Sequence, residues 1–100
     1  NVIGIENINS NVPDNFSLSQ NYPNPFNPQT KFKFSIKRTS FAELKIFDIL
    51  GREVKTLVNE NLKAGEYEVS FNAAGLPSGV YFYRLNADDF TQTKKMVLIK

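Results

Sequence analysis

The chain has 100 residues, of which 41% are hydrophobic and 22% charged, and a formal net charge of +2. That length closes one core, and the composition argues against both a disordered polar tract and a membrane protein; no apolar run approaches the roughly 20 residues a membrane helix needs. Histidine and cysteine are absent, which excludes disulfides, thiolate chemistry and the commonest metal ligands, while cations interleaved with acids give no basis for nucleic-acid binding.

Up to Asn15 the apolar residues are isolated, with neither a period of two nor one of 3.6, and Pro13-Asp14 interrupts any helix. Residues 1–15 therefore read as a linker and residues 16–100 as the folded domain. Residues 1–4 lack a basic segment followed by an apolar stretch, so any export signal is expected upstream. Phe16 and Leu18 open a short alternation before Asn21-Tyr22-Pro23-Asn24-Pro25-Phe26-Asn27-Pro28. Its prolines fix φ, remove N–H donors and push each preceding residue toward extended backbone, so this is a stiff, non-ladder segment with Tyr22 and Phe26 as anchors.

From Lys31 the period is two. Phe32, Phe34 and Ile36 share one face, and Lys31, Lys33, Ser35 and Lys37 the other. Ala42, Leu44 and Ile46 repeat the pattern against Glu43 and Lys45, and Asp48-Ile49-Leu50-Gly51 predicts a hairpin turn. The returning strand, residues 52–58, carries Val54, Leu57 and Val58 in a broken alternation, as a bulge beside the turn would produce. After a second turn at residues 61–65, Tyr67, Val69 and Phe71 face inward. A longer connection with Gly75, Pro77 and Gly79 leads to Val80-Tyr81-Phe82-Tyr83, whose apolar character on both faces predicts a central strand covered on both. Asp88-Asp89 turns the chain into the last strand, residues 90–99. Seven extended segments without a helical stripe predict an all-β antiparallel sandwich. Nine Phe and four Tyr supply the buried area it needs in the absence of Trp and disulfides.

Gly65-Glu66-Tyr67 and Gly79-Val80-Tyr81 each set a glycine two residues before a tyrosine. A turn glycine plus a core aromatic, as in the tyrosine corner of sandwich domains, is preferred to direct partner contact. Asp48, Asp88 and Asp89 lack the spacing of a calcium loop and read as solvated turn acids, so no metal and no cofactor are expected. Glu53, Glu60, Glu66 and Glu68 fall among solvated alternating charges, and with no base–nucleophile pair or phosphate-cradling glycine loop, no catalytic residue is assigned. Asn15-Phe16-Ser17 has the form of a glycosylation sequon and Ser40-Phe41-Ala42-Glu43 that of a capping box; the first is short enough to be chance, and the second lacks a helical run behind it.

The stretch Phe16-Ser17-Leu18-Ser19-Gln20-Asn21-Tyr22-Pro23-Asn24-Pro25-Phe26-Asn27-Pro28-Gln29-Thr30 resembles the opening of the type A C-terminal sorting domain of the type IX secretion system. Phe47-Asp48-Ile49-Leu50-Gly51-Arg52-Glu53-Val54, Ala64-Gly65-Glu66-Tyr67, Gly75-Leu76-Pro77-Ser78-Gly79-Val80-Tyr81-Phe82-Tyr83-Arg84-Leu85 and Thr93-Lys94-Lys95-Met96-Val97-Leu98-Ile99-Lys100 resemble its later motifs in the same order. The ordered set carries the resemblance; single pieces such as Gly-x-Tyr are common.

The resemblance implies an immunoglobulin-like sandwich of about seven strands, fused to an upstream cargo domain that a translocon carries across the outer membrane. A shuttle barrel would bind the domain, and a sortase would cut before Phe16. The cargo would pass through the periplasm and end secreted or on the surface of a Gram-negative bacterium. Motif or recognition residues under this reading are Pro23, Asn24, Pro25, Gly51, Gly65, Tyr67, Gly79, Tyr81, Lys95, Met96, Val97, Leu98, Ile99 and Lys100. Ala42 departs from the family's larger β-branched residue, Asp88-Asp89 from its glycine turn and Phe47 from Tyr. Pro23-Asn24-Pro25 is either a recognition element or a rigid lead-in that covers a sheet edge. An extended C-terminal strand would offer unpaired N–H and C=O groups for strand addition, with Lys94, Lys95 and Lys100 keeping that edge soluble. The alternative is a carbohydrate-binding or adhesive sandwich of an extracellular hydrolase, against which stands the inward phase of most Phe and Tyr.

Overall fold

The computed structural model describes residues 5–100; the linker reading of residues 1–4 lies outside them. Eight strands follow in order: β1 (Ile5–Asn9), β2 (Ser17–Leu18), β3 (Gln29–Ile36), β4 (Ser40–Phe47), β5 (Glu53–Leu62), β6 (Gly65–Asn72), β7 (Gly79–Ala87) and β8 (Phe90–Leu98). They pair antiparallel in two four-stranded sheets, ordered β1-β6-β3-β2 and β5-β4-β7-β8. The all-β sandwich is as the alternation predicts, with one strand more than expected. That strand is β1, inside the stretch read as linker. It is held by the backbone ladder to β6, and only Ile5 among its residues is partly buried, so it leaves no period in the sequence.

Each sheet turns one apolar face to the other. Phe32, Ile36 and Val69 from the first sheet and Leu44, Ile46, Tyr83, Leu85 and Met96 from the second have no solvent exposure. The Phe32 and Tyr83 rings, 4.6 Å apart between centroids, join the two layers. Burying side chains of this size contributes roughly 1.5–3 kcal/mol each, which lets the fold stand without disulfides.

The turns follow their residues. Asp48 accepts from the Gly51 N–H at 2.9 Å through its carbonyl, and its carboxylate accepts from the N–H groups of Leu50 and Arg52. These bonds, the Arg52 amide first, hold the Asp48 carboxyl below its usual range. Gly51 takes the left-handed conformation (φ +83°) that closes the turn. The register between β4 and β5 slips at Leu44/Lys45 and again at Ile46/Phe47, which is the broken alternation expected beside this turn. At the β7–β8 turn Asp88 sits at φ 56°, a region Asp tolerates better than most residues, and Arg38 pairs with both Asp88 and Asp89.

β7 is an inner strand of its sheet, but its outer face is half-buried rather than covered. Phe82 lies opposite Phe47 across the ladder, and the Arg84 guanidinium stacks 4.6 Å from the Phe47 ring. The apolar run thus reflects a surface cluster of aromatic and cationic side chains, and among the described residues no second layer packs there.

Candidate functional site

The proline-rich segment is fixed from beneath by a buried polar node. Asn21 is 2% exposed; its N–H donates to Tyr83 Oη at 2.8 Å, and its amide Nδ2 donates to Pro23 O at 3.1 Å and Thr30 Oγ1 at 3.0 Å. Thr30 donates in turn to Pro23 O, Tyr83 to Ser19 O, and Gln20 Nε2 to Asn21 Oδ1. Burial pushes the Tyr83 hydroxyl up to about 12. These bonds satisfy a loop whose three X–Pro peptides, at Pro23, Pro25 and Pro28, are cis.

Held in this way, the loop seats on the outer edge of β8. Gln20 Nε2 donates to Lys95 O at 2.8 Å, Val97 N–H to Asn24 Oδ1 at 3.0 Å, Phe26 N–H to Val97 O at 3.0 Å, and Ile99 N–H to Phe26 O at 2.9 Å. Phe26 forms a parallel bridge with Leu98, and its ring is 2% exposed. Pro23, Asn24 and Pro25 are thereby joined to Lys95, Met96, Val97, Leu98 and Ile99 in one seam. The expectation of an unpaired C-terminal edge fails over residues 95–99, because the loop supplies the missing strand there. Alternation along β8 points the backbone groups of Thr91 and Thr93 the same way as those of Val97. No bond to them is found among the described residues on that side.

Met96 and Leu98 point inward and are 0% and 1% exposed, whereas Lys95 and Ile99 face solvent. Lys100 caps the same end, its N–H on Ser78 Oγ at 3.0 Å and its ammonium on Ala74 O at 2.6 Å. Gly79 and Tyr81 start β7 beside it, and the Gly51 turn lies at that end as well. Burial raises the Tyr81 hydroxyl, with the Asp48 carboxylate adding to the effect. Gly65 and Tyr67 lie elsewhere: Gly65 pairs with Ile36 at the other end of a molecule 37 Å long. Tyr67 Oη donates to Lys63 O and Tyr81 Oη to Pro77 O, each at 2.6 Å and each four residues back, the tyrosine-corner arrangement. The node residues Asn21, Thr30 and Tyr83 were not singled out from sequence; the available signal was Thr30, which shares the inward phase of Phe32, Phe34 and Ile36.

Other features carry less chemistry. A cleft of about 480 Å³ lined by Asn15, Phe16, Lys37, Arg38, Asp89 and Phe90 has its Arg38 cation engaged by Asp88 and Asp89. Among the described residues no cluster of three His, Cys, Asp or Glu could hold a metal ion. Tyr22 and Phe41, 81% and 50% exposed, lie on different sheets and form no common sugar platform.

The chain is thus a two-layer antiparallel sandwich whose opening segment is hydrogen-bonded to its last strand. The family model described as the secretion system C-terminal sorting domain matches residues 20–100. The chain belongs to that family, the C-terminal sorting domains of type IX secretion. Among solved structures it is similar to PorZ, an essential bacterial surface component of the type IX secretion system of Porphyromonas gingivalis, at 22% identity and a TM-score of 0.59. The likeness covers 87% of this chain and 12% of that one, and it shows the fold. No curated protein matches the sequence.

Proposed function

We propose that the domain directs a fused upstream cargo domain through the type IX translocon, from the periplasm across the outer membrane. A shuttle barrel then holds the domain and a sortase removes it before Phe16. Family membership supports this reading, and one observation carries it. The opening motif and the closing motif, 73 residues apart at Asn24 and Val97, form a single hydrogen-bonded seam. Tyr22, Pro23, Asn24, Pro25, Lys95 and Ile99 are exposed along it. A receptor touching that surface reads both motifs together, and does so only on the folded domain. The domain acts by shape and performs no catalysis. A partner strand adds, where one does, at the open Thr91–Thr93 stretch of β8 and not at residues 95–99.

The test is export of a reporter fused upstream of the domain, in cells with and without the translocon. Delivery to the surface or medium should require both the domain and the translocon. Export that persists when either is removed contradicts the reading, and calorimetric glycan binding by the isolated chain would favour the carbohydrate-binding alternative.

A further inference from the structure

β1 is the strand whose attachment rests least on side chains. Of its five residues only Ile5 is partly buried, and the rest are exposed. Glu6 stands directly opposite Glu68, a like-charge pair, and the register slips between Asn7 and Asn9. Lys31, 3.7 Å from Glu68, offsets part of that repulsion. Among the described residues, what holds β1 is the ladder, the packing of Ile5 against the core, a 3.4 Å bond from Asn7 Nδ2 to Glu66 O, and close approach at Gly65. A Cβ on Gly65, where φ is +154°, would stand 2.8 Å from Asn7 Nδ2 and 2.9 Å from Asn9 O. On the other side of β6, by contrast, β3 sends Phe32, Phe34 and Ile36 into the core. Detaching β1 withdraws no fully buried side chain, so it opens locally at a lower free energy than the sandwich unfolds.

Residues 10–15 run from β1 at one edge of their sheet to β2 at the other, outside any strand, with Asn11, Val12, Asp14 and Asn15 exposed. An endopeptidase needs its substrate extended and free for several residues on both sides of the bond it cuts. With β1 docked the free run is residues 10–15; with β1 open it reaches back through residue 5.

We propose that β1 is a strap that undocks from β6 while the rest of the sandwich stays folded, and that its opening lengthens the free chain around the already exposed residues 10–15 enough to make them an endoproteolytic processing site. The chemistry is plain hydrolysis: one peptide bond breaks, the hydroxyl of water goes to the acyl carbon and its hydrogen to the leaving amine. The strap takes its biological setting from the sorting reading, in which removal occurs before Phe16, but its opening is measurable without any translocon.

The chain has no cysteine, so Glu6→Cys with Glu68→Cys creates one defined crosslink between facing positions. Facing residues of an antiparallel pair lie about 4.5–5.5 Å apart, within disulfide reach. The full chain is treated with a broad-specificity endopeptidase, oxidised and reduced in parallel, and cuts within residues 10–15 are followed by mass spectrometry. The oxidised form should be cut at least about 10-fold more slowly than the reduced form, since cleavage tracks the open population. Glu6→Pro, which removes the ladder donor opposite Glu68, should be cut faster than the parent. Equal rates in the two redox forms of one chain overturn the proposal, whatever the variant's stability. Normal gating without translocon-dependent export would instead count against the sorting reading alone.

Discussion

Tyr83→Phe tests the node beneath the proline-rich loop, because it deletes one oxygen and leaves the ring in place. Two bonds are lost: Tyr83 Oη to Ser19 O, and Asn21 N–H to Tyr83 Oη, both 2.8 Å. Asn21 is 2% exposed, so its N–H is left unpaired away from water; an orphaned buried donor costs about 1–3 kcal/mol, and the lost Ser19 bond adds roughly 1 kcal/mol. We expect a loss of about 2–4 kcal/mol in urea unfolding followed by circular dichroism, and a fall in Tm of about 10–25 °C for a domain of this size. The hydroxyl also sets a pH dependence. Burial raises it from 10.0 to about 12, so the folded state holds its proton more tightly than the unfolded chain does. That contribution, about 3 kcal/mol, is fully present below pH 10 and is lost as pH rises from about 10 through about 12. Tyr83→Phe should flatten that stretch of the stability curve. A loss under about 0.5 kcal/mol, with an unchanged alkaline slope, would refute the node as the support of the loop.

Asn24→Ala removes the acceptor of the Val97 N–H and should cost about 1 kcal/mol, with faster hydrogen exchange at Val97; full protection of that amide would mean the seam does not rest on Asn24. Met96→Ala, at a fully buried position, should lose about 2–5 kcal/mol, whereas Ile99→Ser, at 49% exposure, should stay within about 0.5 kcal/mol. Similar losses for the pair would show that the inward and outward phases of the last strand are misassigned. Ala42→Val adds bulk at a position that is 0% exposed and faces Ala87, so overpacking should cost about 1–3 kcal/mol. A rise in Tm would mean that this site has spare room.

The strands that could be read from sequence are those that bury one face. Phe32, Phe34 and Ile36 on β3, and Tyr67, Val69 and Phe71 on β6, pack against the second sheet, and that burial writes a period of two into the chain. β1 buries almost nothing and so left no pattern. β7 misled in the opposite direction, since Phe82 and Arg84 enrich its solvent face by packing around Phe47. The two halves of the seam were legible as motifs, but their meeting was not. It is made by single bonds from Gln20, Asn24 and Phe26 to a strand more than 70 residues away, and such contacts have no periodicity. Burial of Met96 and Leu98 also alters how a terminal deletion is to be read: removing residues 96–100 takes out core, so loss of export after that deletion does not separate recognition from folding.

A surface variant makes that separation. Lys95→Glu combined with Ile99→Ser changes the exposed side of the seam and leaves Met96, Val97 and Leu98 in place. Reporter export is measured beside the unfolding free energy of the same domain. The account predicts stability within about 0.5 kcal/mol of the parent and a marked loss of translocon-dependent export. Parental export from the double variant would contradict the claim that the folded seam is what the translocon reads.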